Sequence, residues 1–264
     1  MKNVIQDYIK QLENDEGIIV LYVCEAGSRS WGLESPMSDY DVRFIYMYPT
    51  KEYLRIDPIG VGKRKDVIEQ KISDTLDISG WELTKTLRLF RKSNPTLLEW
   101  LHSEMLYYQH STTIETIKKL EPTVFSATTC LHHYVNMASS NFKKFDGDCN
   151  HSVKLLINVL RPILICKWIK KHNAFPPLDM DLVVEQVVSD EEIEKIIKEI
   201  LQDKRLGQTN VVPNNINALN TYITKSLQDI KHHLHKQPPL RNQGVTKKLD
   251  LVFQNALREV SNKN

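Results

Sequence analysis

The chain has 264 residues, enough for one large domain or two small ones with an apolar core. Its formal net charge is only +2, so any contact with nucleic acid has to come from a local basic patch. No apolar run approaches the length of a membrane span, and the N-terminal residues mix charged with apolar side chains, unlike a signal peptide. Since no membrane span is expected, we expect no membrane partner. The cysteines lack CxxC spacing and fit reduced thiols, so we expect a cytoplasmic protein. They are Cys24, Cys130, Cys149 and Cys166.

The first elements follow from apolar spacing. Residues 3–13 carry an apolar stripe typical of an amphipathic helix, which Gly17 ends. Residues 18–24 are apolar throughout and predict a strand buried on both faces. A turn or short helix is expected after this strand, and residues 40–48 predict a second strand.

A long polar loop is expected at 49–65, because this stretch is rich in charge, proline and glycine. Ser79 and Glu82 have the spacing of a capping box, so a helix is predicted to begin at Ser79. The pair Asn94-Pro95 predicts the start of another helix, which runs to residue 101. Strands are predicted at 67–72, 75–78 and, at an edge, 105–109.

After about residue 110 the strand signal fades and apolar residues recur at helical spacing. Strands therefore come first and helices afterwards, which is the order of an α+β fold. The predicted helices are 111–120, 127–145, 151–171, 190–206, 214–235 and 246–260, with breaks at Pro122, Asp146-Gly147, Pro176-Pro177, Gly207, Pro213 and Pro238-Pro239.

The clearest chemical signal is Asp39-Tyr40-Asp41, where two carboxylates share one face of a strand. They repel each other unless they are solvated or a cation lies between them. Mg²⁺ prefers one or two carboxylates together with substrate phosphates. Gly27-Ser28 lies ten residues earlier, where glycine permits close approach and a helix start suits a phosphate. A lone Asp-x-Asp is more often a solvated edge, but the buried strand and Gly-Ser before it favour a metal-nucleotide site.

This order of strand, Gly-Ser and Asp-x-Asp resembles the signature of the DNA polymerase beta superfamily of nucleotidyltransferases. The strings EAGSRSWG from Glu25 and SDYDVRFIY from Ser38 are most similar to the predicted bacterial and phage RNA-repair-pathway branch. The resemblance implies a palm-like catalytic domain at 1–115, with a mixed sheet flanked by helices. A helical C-terminal domain at 116–264 would complete the nucleotide cleft.

The superfamily also places a third carboxylate between apolar residues of a later strand. Asp77 stands between Leu76 and Ile78 and matches this pattern. A carboxylate there is costly unless it caps a helix or meets a metal, and both readings stay open. Glu69 and Asp74 are rivals, but neither has apolar neighbours on both sides.

A polar stripe lies on the nearly all-apolar helix that contains residues 153–169. Lys154, Asn158 and Arg161 follow one face, and a buried arginine needs a partner. An internal acid and a nucleotide phosphate are alternative partners, and related enzymes use a basic residue from the helical region for the phosphate. The nucleotide-binding candidates are Gly27, Ser28, Arg29, Lys154 and Arg161.

The resemblance implies transfer of a nucleoside monophosphate from an NTP to an acceptor hydroxyl. Asp39 and Asp41 would bind Mg²⁺, or alternatively Mn²⁺, and Asp77 would join them on a second metal ion. An RNA end, a protein such as a toxin, and a small molecule such as an antibiotic stay open as acceptors, as does a non-catalytic nucleotide sensor. An RNA substrate predicts salt-sensitive contacts from basic residues at the cleft mouth. These are Lys63, Arg64, Lys65 and Arg88.

Overall fold

The computed structural model describes residues 1–109, 112–145, 152–210, 215–235 and 244–261. It has a five-stranded sheet with the spatial order β3-β4-β2-β1-β5. The strands are β1 Ile19–Glu25, β2 Tyr40–Met47, β3 Val67–Ser73, β4 Leu76–Glu82 and β5 Leu106–Gln109. Every strand expected from the sequence is present, and the strand at 105–109 does lie at an edge.

The sheet is mixed. β2 and β4 run parallel, whereas β1–β2, β1–β5 and β3–β4 are antiparallel pairs. The neighbouring strands β1 and β2 are buried along most of their length, and the apolar face of the first helix packs against the same core. Burial on both faces explains why 18–24 is apolar throughout. The α+β class and the mixed sheet flanked by helices are therefore confirmed.

Twelve helices are present in the described residues. They are α1 Lys2–Glu16, α2 Gly27–Ser30, α3 Thr50–Tyr53, α4 Leu83–Arg91, α5 Pro95–His102, α6 Thr112–Val124, α7 Ala127–Phe145, α8 Val153–His172, α9 Met180–Val187, α10 Glu191–Arg205, α11 Ile216–Leu234 and α12 Val245–Ser261. The short helices α3 and α9 were not predicted, and α6 continues through Pro122 to Val124 instead of breaking there. The predicted starts at 111, 151 and 214, and the breaks at 146–147, 213 and 238–239, lie outside the described residues.

The helix start expected at Ser79 is wrong. Ser79 and Gly80 instead continue β4 and pair with β2 on one side and β3 on the other. A Cβ on Gly80 would overlap the Phe44 ring, so close packing explains the glycine within the strand. Glu82 itself caps α4, because its carboxylate accepts the Thr84 backbone N–H at 2.8 Å.

The chain forms two compact units, each discontinuous in sequence. The first unit contains 1–27, 39–124 and 242–264, and the second contains 28–38 and 125–241. In the first unit, α12 packs against α4 and α6. In the second, α7 and α8 form the main helix pair. The predicted domains, 1–115 and 116–264, were each one continuous stretch, and that division stays a prediction.

Cys24, Cys130 and Cys166 are buried, while Cys149 lies outside the described residues. In the part of the chain that the structure describes, no helix is both long and apolar enough to cross a membrane.

Candidate active site

Asp41 and Asp77 lie directly opposite each other on the parallel strands β2 and β4. Arg43 joins them: its Nη2 donates to Asp41 Oδ1 at 3.0 Å, and its Nη1 donates to Asp77 Oδ2 at 2.8 Å. The guanidinium therefore offsets the repulsion between two carboxylates on neighbouring strands. Asp39 is the residue immediately before β2, and it is exposed. The parallel register thus brings together two of the three predicted carboxylates, which are 36 positions apart in the numbering.

Gly27 makes room for Asp41. It has a φ of +61°, and an added Cβ would lie 2.8 Å from Asp41 Cγ and overlap Oδ2. The missing side chain thus lets the carboxylate lie against the backbone where β1 turns into α2. This contact places the Gly-Ser turn next to the Asp-x-Asp strand.

Glu25 is a functional candidate that the sequence analysis did not single out. Its side chain is fully buried, its Oε1 accepts the backbone N–H of Asp41 at 2.8 Å, and its Oε2 accepts the hydroxyl of Tyr107. Ser103 Oγ donates to the Glu25 backbone carbonyl at 2.7 Å. These bonds fix the backbone that carries Asp41. The signal in the sequence was a glutamate at the end of an otherwise apolar strand.

The residues fit a hard divalent cation in their chemistry. Asp41 and Asp77 each give one oxygen to Arg43 and retain a second, and carboxylate oxygens are ligands that Mg²⁺ prefers. Among the described residues, no three histidine, cysteine or acidic side chains converge as a metal site. A Mg²⁺ ion here would therefore use one or two carboxylates and take its other ligands from substrate and water.

In the second unit, segment 28–38 is held in shape by hydrogen bonds between its own residues. Arg29 Nη2 donates to the Ser38 carbonyl at 2.8 Å, and Ser28 Oγ lies 3.3 Å from Ser38 Oγ. Ser38 Oγ also accepts the backbone N–H of Ser35 at 2.9 Å. Arg29, a predicted nucleotide ligand, therefore also shapes the loop between the turn and the Asp-x-Asp strand.

Arg161 is the second notable cation of this unit. Its guanidinium carbon lies 5.7 Å from the centroid of the fully buried Trp31 ring, within cation–π range. Its Nε is buried and has no hydrogen-bond partner among the described residues. Lys154, two turns earlier on α8, is exposed. The internal acid weighed as a partner for Arg161 is thus not found in the described part of the chain.

A further arginine contact was missed by sequence reasoning. Arg205 forms an ion pair with Asp181 at 2.5 Å and donates its Nε–H to the Gly32 carbonyl at 2.8 Å. This arginine supports the segment that carries Trp31, and nothing in its local sequence indicates the role.

The basic cluster at 63–65 is largely engaged within the chain. Arg64 donates to the backbone carbonyls of Glu52 and Asp57, and Lys65 pairs with Glu16 at 2.8 Å. These bonds hold the loop within the chain, and the predicted contact of this cluster with an RNA substrate stays a prediction.

A mixed sheet that brings a Gly-Ser turn against an Asp-x-Asp strand, with an aspartate opposite on the parallel strand, is typical of the nucleotidyltransferase class. The sequence comparison agrees. The chain belongs to the RNA repair pathway DNA polymerase beta family (RlaP), whose model matches residues 1–255. Family membership supports its assignment as a nucleotidyltransferase.

Two similar proteins accompany the family match. The chain is 39% identical over 260 residues to the uncharacterized protein YcgL of Bacillus subtilis (strain 168), and the match covers 98% of each chain. A nucleotidyltransferase-like protein from Exiguobacterium sibiricum 255-15 matches 89% of this chain and 74% of its own, with 12% identity and a TM-score of 0.33. At that TM-score the structural likeness establishes nothing further by itself.

Proposed function

We propose that the protein is a metal-dependent nucleotidyltransferase that moves a nucleoside monophosphate from an NTP to an acceptor hydroxyl and releases pyrophosphate. The observation that carries this proposal is the position of Asp41. Its carboxylate lies against Gly27 and opposite Asp77, on strand β2, which pairs with β1 on one side and β4 on the other. Glu25 holds the Asp41 backbone from the buried side. The family assignment supports the same reaction class.

In this reaction the acceptor oxygen forms a bond to the α-phosphorus as the bond to the bridging oxygen of pyrophosphate breaks. The acceptor proton passes to Oδ1 of Asp77, because Oδ2 of the same carboxylate binds Arg43. A bound Mg²⁺ or Mn²⁺ supplies charge neutralisation at the phosphates. Asp39 and Asp41 are the proposed ligands of this ion, and the rest of the catalysis is positioning and electrostatics.

We assign Arg161 and Lys154 to phosphate binding. A buried Nε–H without a partner costs about 1–3 kcal/mol, so the fold alone gives no reason to keep it. A phosphate oxygen satisfies this donor and pairs with the guanidinium charge. Gly27, Ser28 and Arg29 are the other proposed contacts of the nucleotide.

We propose an RNA end as the acceptor. The support for it is the description of the family as part of an RNA repair pathway. The acceptor test offers labelled NTP with RNA 3′ ends, with protein and with a small aminoglycoside, in separate reactions. Label on RNA alone supports the proposal, whereas label on protein or on the aminoglycoside replaces it.

The first test of the chemistry is thermal unfolding with ATP, CTP, GTP or UTP, with and without Mg²⁺. A ligand at a hundred times its dissociation constant stabilises the fold by about 2.7 kcal/mol. We expect a Mg²⁺-dependent shift with one nucleotide in the wild type and none in Asp41→Ala. The matched control is Asp74→Ala, which removes an exposed carboxylate on the same unit and should keep the shift. No shift with any nucleotide in a folded wild type contradicts the proposal.

The second test separates Arg161 from a structural role. Arg161→Met removes both the unpaired Nε–H and the cation–π contact with Trp31, and the first loss offsets the second, so the unliganded melting temperature should not fall. The nucleotide-induced shift should disappear. The comparison variant is Arg205→Met, which removes a structural arginine. It leaves Asp181 and the Gly32 carbonyl without this partner, so the unliganded melting temperature should fall. An unchanged nucleotide shift in Arg161→Met would remove Arg161 from the site.

A further inference from the structure

The Arg43 guanidinium contacts the carboxylates of both Asp41 and Asp77. Its two terminal nitrogens each reach a different carboxylate, at 3.0 Å and 2.8 Å. Arginine presents these donors in a rigid planar fork, so one guanidinium can bridge two carboxylates with good geometry. A divalent ion placed between the same two oxygens would meet this fixed positive charge.

The guanidinium is held in place by more than the two acids. Nη1 also donates to the backbone carbonyl of Val42 at 3.0 Å. The Arg43 side chain is only 18% exposed, against 46% for Asp77, so the arginine is the less solvated partner. In the β2–β4 register the residue opposite Arg43 is Ser79, whose small side chain leaves the guanidinium free to reach Asp77.

The lysine next to Asp77 on the neighbouring strand does not take this role. Lys71 lies opposite Asp77 on the other flank, in the β3–β4 register. Its Nζ instead pairs with Asp74 at 2.8 Å. The charge that balances Asp41 and Asp77 therefore comes from Arg43, which belongs to the same strand as Asp41.

We propose that Arg43 is a built-in cation that replaces one of the two metal ions expected for this chemistry. The chain then binds a single divalent ion, through Asp41 and Asp39, while Arg43 keeps Asp77 next to Asp41. Asp41 Oδ1 binds Arg43 and its Oδ2 faces Gly27, so one carboxylate serves both cations. This inference rests on the proposed function and concerns the number of ions that the site takes. Arg43 acts here as a positioning residue.

The experiment counts bound Mn²⁺ without any nucleotide. Free Mn²⁺ gives a sharp six-line electron paramagnetic resonance signal that broadens on binding, so a titration yields the number of ions per chain. We expect one ion for the wild type and two for Arg43→Gln, in which the two carboxylates lose their internal counter-charge. The matched control is Arg55→Gln, which breaks an exposed ion pair with Glu52 on the same unit and should still bind one ion.

The outcomes separate the inference from the function on which it rests. Two ions in the wild type, or equal non-zero counts for the wild type and Arg43→Gln, overturn the inference and leave the metal-dependent function intact. No bound ion in either chain overturns the inference alone, because an ion that takes ligands from substrate phosphates still serves the function; the Mg²⁺-dependent nucleotide shift then tests the function separately.

A second variant keeps the test decisive if Arg43→Gln does not fold. Asp77→Asn removes a charge that a two-ion site needs, but our assignment puts the single ion on Asp41 and Asp39. We therefore expect Asp77→Asn to retain one bound Mn²⁺ and Asp41→Asn to retain none. Loss of the ion from Asp77→Asn overturns the inference. Circular dichroism of each variant confirms that it is folded.

Discussion

Replacing Gly27 with alanine tests whether Asp41 must lie against the Gly-Ser turn. Gly27 has a φ of +61°, and Gly17, which ends α1, has an almost equal φ of +62°. Nothing lies within 4 Å of a Cβ added at Gly17, whereas a Cβ at Gly27 would overlap Asp41. Gly17→Ala therefore carries the backbone strain alone, and Gly27→Ala adds a displaced carboxylate.

The magnitudes follow from these contacts. A left-handed backbone costs a non-glycine residue roughly 1–2 kcal/mol, so Gly17→Ala should lose about this much unfolding free energy and Gly27→Ala more. The added Cβ at Gly27 would lie 2.8 Å from Asp41 Cγ, while carbon atoms prefer about 3.5 Å. The carboxylate must then retreat by roughly 0.7 Å, and a misplacement of about 1 Å can cost a hundredfold in rate.

Urea denaturation and turnover measured on the two variants check this reasoning. We expect both variants to lose stability, Gly27→Ala more than Gly17→Ala because of the overlap, with turnover reduced about a hundredfold only in Gly27→Ala. In an Asp41→Ala background the overlap is gone, so Gly27→Ala should cost no more stability than Gly17→Ala. Wild-type turnover in Gly27→Ala, or equal rate losses in both glycine variants, would refute the argument.

Three further predictions concern buried groups of the first unit. Glu25→Ala leaves the Asp41 backbone N–H and a tyrosine hydroxyl without their acceptor, and we expect a loss of roughly 2–4 kcal/mol by urea denaturation; a loss under 0.5 kcal/mol would contradict it. Gly80→Ala forces a Cβ into the Phe44 ring, and a melting temperature lowered by several degrees is expected from an overpacking cost of about 1–3 kcal/mol. Burial raises the pKa of the Cys24 thiol from 9.0 to about 12, so iodoacetamide at pH 8.5 should label it only in denaturant. Because only the unfolded thiol ionises between pH 9 and 12, stability should fall over that range by an increment that Cys24→Ala removes.

The elements with strong local signals were predictable from the sequence. Helix α1 follows from its apolar spacing and its terminal glycine, which adopts the left-handed conformation. Helix α5 follows from Asn94, whose side chain accepts the Leu97 N–H at 3.0 Å. These signals act within four residues of each other, so the sequence contains them whatever the rest of the chain does.

The helix predicted from Ser79 shows where local signals fail. The capping-box spacing is present, but strand pairing on both sides extends β4 to Glu82. Glu82 then caps the helix, which begins at Leu83, four residues later than expected. Two neighbouring strands contribute more backbone hydrogen bonds than one capping interaction, so the tertiary context prevailed. The short helix α9 has only eight residues, too few for a periodic signal to stand out.

The sequence by itself determined which elements follow one another around the site. These are a buried strand, a Gly-Ser turn and an Asp-x-Asp strand, with Asp77 as a further carboxylate. Only the tertiary structure decided how these groups are used. The bond from Arg43 to Asp77 spans 34 positions, and the bond from Tyr107 to Glu25 spans 82. Neither leaves a periodic trace in the chain, because each depends on the register of strands that meet only in the folded sheet.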